Sequence, residues 1–191
     1  MTVGPPPKLT SEHFRPIHEE ILHDGYIISL AQATFEGPGG VTFDRDIVRH
    51  PGAVSVVPVI DGEVVLVRQY RAALNADLLE IPAGKLDIAG EDLAQAAQRE
   101  LGEEVGYRAG RLDLLARFHN SAGFCDEMSY VFLGTDLTEV PLDNQGIEEE
   151  HMTIERVKLG RVPELIASGA LTDAKTIIGL SITLQRLGTA G

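Results

Sequence analysis

Glu100, Glu103 and Glu104 are spaced three and four residues apart. On a helix those spacings put side chains on one face. Each like-charged pair there costs a few tenths of a kcal/mol on an exposed surface. A divalent cation reverses that sign, and oxygen donors of this kind suit magnesium or manganese. On the carboxylates alone, a solvated acidic helix face is the simpler reading. Arg99 stands four residues before Glu103, where an ion pair can orient it. A second acidic run, Glu148, Glu149 and Glu150, sits in the polar stretch Gln145 to His151. Neither a Gly-x-x-x-x-Gly-Lys-Ser/Thr phosphate loop nor a Gly-x-Ser-x-Gly nucleophile elbow occurs in the chain. Cys125 is the single cysteine and has no histidine paired with it in its motif.

The carboxylates need a scaffold, and the pattern predicts one. Leu93, Ala97, Leu101 and Val105 recur every fourth residue and form an apolar stripe, which predicts a helix over Glu91 to Val105. Glu91 and Asp92 suit its N-terminal end and Gly106 its C-terminal cap. Upstream, Ala53 to Ile60 and Glu63 to Tyr70 flank Asp61-Gly62, a hairpin signal. Leu78 to Ile81 is a short apolar run, and Gly84 to Gly90 reads as loop. Leu112 to Asn120, Met128 to Leu137 and Met152 to Leu159 read as strands. Pro141 to His151 reads as loop, and Val162 to Ser168 and Asp173 to Leu187 as closing helices. Before Pro51, Glu19–Leu22, Tyr26–Thr34 and Val41–Val48 read as short strands, and Met1 to Thr10 as a disordered tail. Strands interspersed with few helices imply an α/β (α+β) fold, a mixed sheet between helices. The expected division is residues 1–50, a tail and small antiparallel β subdomain, and residues 51–191, the main domain.

Composition limits the function classes. A net charge of −13 disfavours nucleic acid and anionic membranes as partners. No apolar run approaches the roughly 20 residues of a membrane helix. One cysteine excludes an internal disulfide framework and points to a cytoplasmic setting.

The residues around the helix go further. Gly84-Lys-Leu-Asp-Ile-Ala-Gly-Glu91 is followed by seven residues and then Arg99-Glu-Leu-Gly-Glu-Glu-Val-Gly-Tyr107. This resembles the Nudix box, with six residues instead of five between the glycine and the first glutamate. The extra residue lies in the loop and leaves the helix register intact. Three flanking segments resemble the ADP-ribose pyrophosphatase branch of that family: Val67 to Arg71, Leu79 to Gly84, and Ser121 to Glu127. The third carries Ala122 where the branch has proline.

The resemblance implies the Nudix fold and hydrolysis of ADP-ribose to AMP and ribose 5-phosphate, with two or more magnesium or manganese ions. It implies that Glu100, Glu104 and the Ala83 carbonyl bind metal. Glu103 binds metal or orients its neighbours. Arg71 contacts the diphosphate, and Glu80 and Gly123 join it as candidate substrate-binding residues. Arg68 is either a further substrate contact or ordinary strand-edge charge. Glu148 is the first candidate for the general base and Glu150 the second, with a further metal ligand as the other role for Glu150. The branch also implies a homodimer built by exchange of N-terminal strands, for which Ile21, Ile27, Ile28 and Leu30 are candidate contacts. Another nucleoside diphosphate sugar or a dinucleotide is the alternative substrate, and a non-catalytic ADP-ribose sensor the alternative function.

Overall fold

The computed structural model describes residues 10–143 and 150–188. The acidic loop candidates Glu148 and Glu149, and all of the expected tail except Thr10, lie outside these residues. The described residues form two compact units, one within residues 1–52 with 119–128 and one within residues 53–118 with 129–191.

The first unit holds a three-stranded antiparallel sheet. Its strands are β1 (Arg15–Asp24), β2 (Ser29–Glu36) and β3 (Thr42–Arg49), in that order. β1 begins at Arg15, earlier than the expected Glu19. Pro16 is tolerated because β1 is an edge strand, where a missing N–H interrupts no inner ladder. Only one face of β2 has fully buried positions, Ala31 and Ala33. Residues 119–128 join the unit through backbone bonds on either side of Val48, which donates to the Phe124 carbonyl and accepts from the Asp126 N–H. Arg49 reinforces the join with ion pairs to Glu19 and Asp126.

The second unit is a mixed seven-stranded sheet. Its strands are β4 (Ala53–Ile60), β5 (Glu63–Arg71), β6 (Ala76–Glu80), β7 (Ala83–Lys85), β8 (Tyr107–His119), β9 (Met128–Glu139) and β10 (Thr153–Lys158). The main order is β10-β5-β4-β9-β8, with β6 paired to β5 and β7 to β4. β4 runs antiparallel to β5 and parallel to β9. The β4–β5 turn is the expected hairpin: Asp61 and Gly62 both have positive φ, 53° and 75°, as a type I′ turn requires.

Helices α1 (Leu93–Val105), α2 (Val162–Ala167) and α3 (Ala174–Gly188) cover the sheet. Alternation along the strands divides the core. Val54, Val56, Val65, Val67 and Phe132 pack with Ala96, Ala97, Leu101 and Val105 of α1. Val57, Val64, Leu66, Val131 and Leu133 pack on the other face with Val162, Leu171 and Leu180. Among the described residues no helix is long and apolar enough to cross a membrane.

Boundaries around the helix and its flanking strands also differ from expectation. Gly84 and Lys85 belong to β7 and not to a loop, because their backbone pairs with β4. β8 starts at Tyr107 directly after the helix, well before Leu112. Arg108 to Arg111 lacks alternating apolar residues, so sheet pairing and not side-chain pattern makes it a strand. Finally, α1 starts at Leu93. Asp92 is its N-cap, accepting from the N–H groups of Ala94 and Gln95 at 2.9 and 2.8 Å. Gln95 returns the bond to the Asp92 N–H at 3.2 Å, completing a capping box.

Candidate active site

The 3.6-residue period that turns Ala97, Leu101 and Val105 into the core also brings Glu100 and Glu104 round to the edge of that buried face. Both are nearly inaccessible, at 8% and 3% exposure. Charged groups are seldom buried this deeply without compensating partners. Glu104 Oε2 accepts the Ala83 N–H at 2.9 Å. The Glu100 carboxylate lies against Gly84, so closely that a Cβ there would fall 1.8 Å from its carboxyl carbon. The glycine that opens the motif is therefore a steric requirement of the carboxylate sixteen residues later.

Arg99 ties the rest together. Its Nε and Nη2 each donate to a Glu91 oxygen at 3.1 Å. Its Nη1 donates to Glu100 at 2.6 Å and Glu103 at 3.0 Å. The expected i,i+4 pair with Glu103 is thus present. The bonds to Glu91 lead in holding the Arg99 guanidinium above its ordinary pKa, against the opposing effect of burial. Glu91, placed in the helix by the sequence pattern, precedes the N-cap and closes the loop back onto α1. Arg99 and Glu103 also line a hollow of about 640 Å³ beside α1, together with Gln95, Gly102 and Tyr107.

Glu100, Glu103, Glu104 and Ala83 are therefore neighbours along one helix face and the β7 strand. Among the described residues, no three His, Cys, Asp or Glu side chains are arranged to hold a metal ion together. Two buried carboxylates beside a backbone segment are nevertheless hard oxygen donors of the type magnesium and manganese take.

Arg71, at the end of β5, and Glu80, at the end of β6, meet in a forked ion pair. Arg71 Nε and Nη2 donate to the two Glu80 oxygens at 2.8 and 2.7 Å. Glu80 is 1% exposed and is also paired with Lys175. Burial pushes its carboxyl pKa up, but the bond from Arg71 and the charge of Lys175 outweigh this and leave it below the ordinary range. The charge of Glu104 acts on Arg71 as well, after the larger contributions of Glu80.

Arg68 is not part of this group. In a strand, residues three apart face opposite sides. Arg68 accordingly pairs with Glu155 of β10 at 2.6 Å, lining a cavity with Leu79 and Leu165 on the α2 face. Glu150 is exposed and makes no hydrogen bond or ion pair to these residues among those described. Gly123 lies in the first unit, in a hollow of about 420 Å³ with Arg45, Arg49, His119 and Phe124.

Sequence reasoning missed Lys175 and Asp173. The spacing Asp173-x-x-Thr176 is a legible helix cap, and Asp173 does accept from the Thr176 N–H at 2.9 Å. Nothing local connects Lys175 with Glu80, 95 residues away.

A helix-borne glutamate set, its arginine and a glycine placed for close approach on a mixed sheet are the features expected of a Nudix box. The NUDIX domain matches residues 49–177, and the chain belongs to the Nudix family. It is 39% identical to the ADP-ribose pyrophosphatase of Bacillus subtilis over 163 residues, 85% of this chain and 88% of that protein. It is 37% identical to the ADP-ribose pyrophosphatase of Mycobacterium tuberculosis over 172 residues, 89% and 83% of the two chains. A crystal structure of an ADP compounds hydrolase has a TM-score of 0.82 to it at 22% identity, covering 96% of this chain and 99% of that one, which shows the common fold. The protein is an enzyme of the Nudix hydrolase type, which sets aside the sensor alternative.

Proposed function

We propose that the enzyme cleaves the pyrophosphate bond of ADP-ribose, giving AMP and ribose 5-phosphate. The observation that carries the chemistry is the burial of Glu100 and Glu104 against the Ala83–Gly84 strand. The two relatives named ADP-ribose pyrophosphatase support the substrate.

Glu100, Glu104 and the Ala83 carbonyl are the residues that would hold magnesium or manganese, two or more ions with Glu103 included. Such ions supply positive charge opposite the diphosphate and activate water. The chain's own residues do the rest. Arg99 holds Glu100 and Glu103 in place, and the Ala83 N–H fixes the Glu104 rotamer. Arg71 spends Nε and Nη2 on Glu80, which leaves Nη1 for a phosphate oxygen. Glu148 is the first choice to take the proton from the attacking water, with Glu150 second. Glu80 is a candidate for substrate binding through Arg71, and Gly123 and Arg68 are the remaining candidate substrate contacts.

Residues 1–50 are proposed to exchange with a second copy in a cytoplasmic homodimer. Ile21, Ile27, Ile28 and Leu30 support this, each between 37% and 49% exposed. An exchanged interface of this kind buries more than about 2,000 Å² in total. Light scattering tests it: a mass of one 20.6 kDa chain at micromolar concentration contradicts the dimer.

Turnover of ADP-ribose, GDP-mannose and a dinucleoside diphosphate, each with magnesium, manganese or chelator, tests the substrate and metal. ADP-ribose should give the highest kcat/KM, and chelator should abolish turnover. A clear preference for another substrate identifies a different specificity on the same site.

A further inference from the structure

We infer that Lys175 is a positioning residue for substrate binding: it holds Glu80 so that the Arg71 guanidinium is fixed with Nη1 available to the diphosphate. This rests on the reading of Arg71 as a diphosphate ligand.

Glu80 is almost fully buried, and a buried carboxylate is stable only when its lone pairs are met. Arg71 meets them from one side with a fork across both oxygens. Lys175 contacts Oε2, the oxygen that also receives Arg71 Nη2. Its ammonium lies 3.0 Å from Asp173 Oδ2 as well. Lys175 is only 14% exposed at its side chain, so it is wedged between two carboxylates.

Both carboxylates belong to rigid elements. Asp173 Oδ2 accepts from the Thr176 N–H at 2.9 Å and its hydroxyl at 2.6 Å. Thr176 Oγ1 in turn accepts the Ile81 N–H at 3.0 Å. Ile81 follows Glu80 directly and precedes the Pro82-Ala83-Gly84 segment at the catalytic helix. The start of α3 is therefore bound to the end of β6 at two consecutive residues, through Lys175 to Glu80 and through Thr176 to Ile81. An arginine that must meet a phosphate loses less entropy on binding when its fork is already held. Lys175 supplies that hold through Glu80. With its ammonium committed to two carboxylates, it acts through Arg71 and does not bind the phosphate itself.

A double-mutant cycle tests this on the nucleoside diphosphate substrate that the wild-type enzyme turns over fastest. Lys175→Met should raise KM about tenfold while kcat changes less than about threefold. Lys175→Arg should recover most of the KM. In an Arg71→Ala background, Lys175→Met should add less than about a twofold further increase. Lys175→Gln replaces Lys175→Met in the cycle if the latter lowers the melting temperature to the assay range. An effect on KM that multiplies with that of Arg71→Ala overturns the inference, because Lys175 then acts on substrate independently. An unchanged KM in the Lys175 variants overturns it too. If Arg71→Ala itself leaves KM unchanged, the diphosphate role of Arg71 is what fails.

Discussion

The Glu100 carboxylate occupies the space that a side chain at position 84 would fill: a Cβ on Gly84 falls 1.8 Å from the carboxyl carbon and 1.9 Å from Oε1. Gly84→Ala should therefore displace Glu100 without unfolding the sheet, since β7 makes only a short ladder with β4. Displacement of about an ångström at a catalytic group costs on the order of 100-fold in rate. Steady-state kinetics alongside a thermal melt check this. A variant with wild-type kcat/KM would show that Glu100 can sit elsewhere and still serve.

Glu104 accepts the Ala83 N–H, and a glutamine oxygen can accept the same bond. Glu104→Gln should thus keep the fold and lose the negative charge. If that charge holds a catalytic cation, the rate should fall by at least about 100-fold, the equivalent of roughly 3 kcal/mol. Near-normal turnover at saturating magnesium would remove Glu104 from the ligand set.

Glu80 links stability to pH. Its folded pKa is below the unfolded value, so its contribution is fully present above the ordinary carboxylate range. It is lost as pH falls below about 4.3 and through the lower folded value. Glu80→Gln should destabilise the protein at neutral pH by stranding Arg71 and Lys175 beside an uncharged partner. The gap between wild type and variant should narrow on acidification. Urea unfolding of both proteins between pH 6 and pH 3 measures that gap, and a constant gap would contradict the charged network.

For the base, Glu148→Gln should lower kcat by about two to four orders of magnitude with a smaller effect on KM. The same phenotype in Glu150→Gln and not in Glu148→Gln would exchange the two roles.

The site was legible in the sequence where chemistry is local to one helix. Arg99, Glu100, Glu103 and Glu104 lie within six consecutive residues, and helical geometry alone predicted the Arg99–Glu103 pair. The hairpin at Asp61-Gly62 was equally local. What escaped was tertiary. Gly84 and Lys85 form a strand only because β4 lies beside them. Tyr107 to Arg111 is a strand only by virtue of its place in the sheet. Arg68 and Arg71 belong to one motif, yet strand geometry sends them to opposite faces. Lys175 reaches Glu80 from across the chain, with no spacing that marks it.

Product analysis after hydrolysis of ADP-ribose in oxygen-18 water shows which bond the enzyme breaks. AMP and ribose 5-phosphate should form in equal amounts, with one labelled oxygen entering one of the two phosphates. ADP or free phosphate as the first product would contradict cleavage at the pyrophosphate bond.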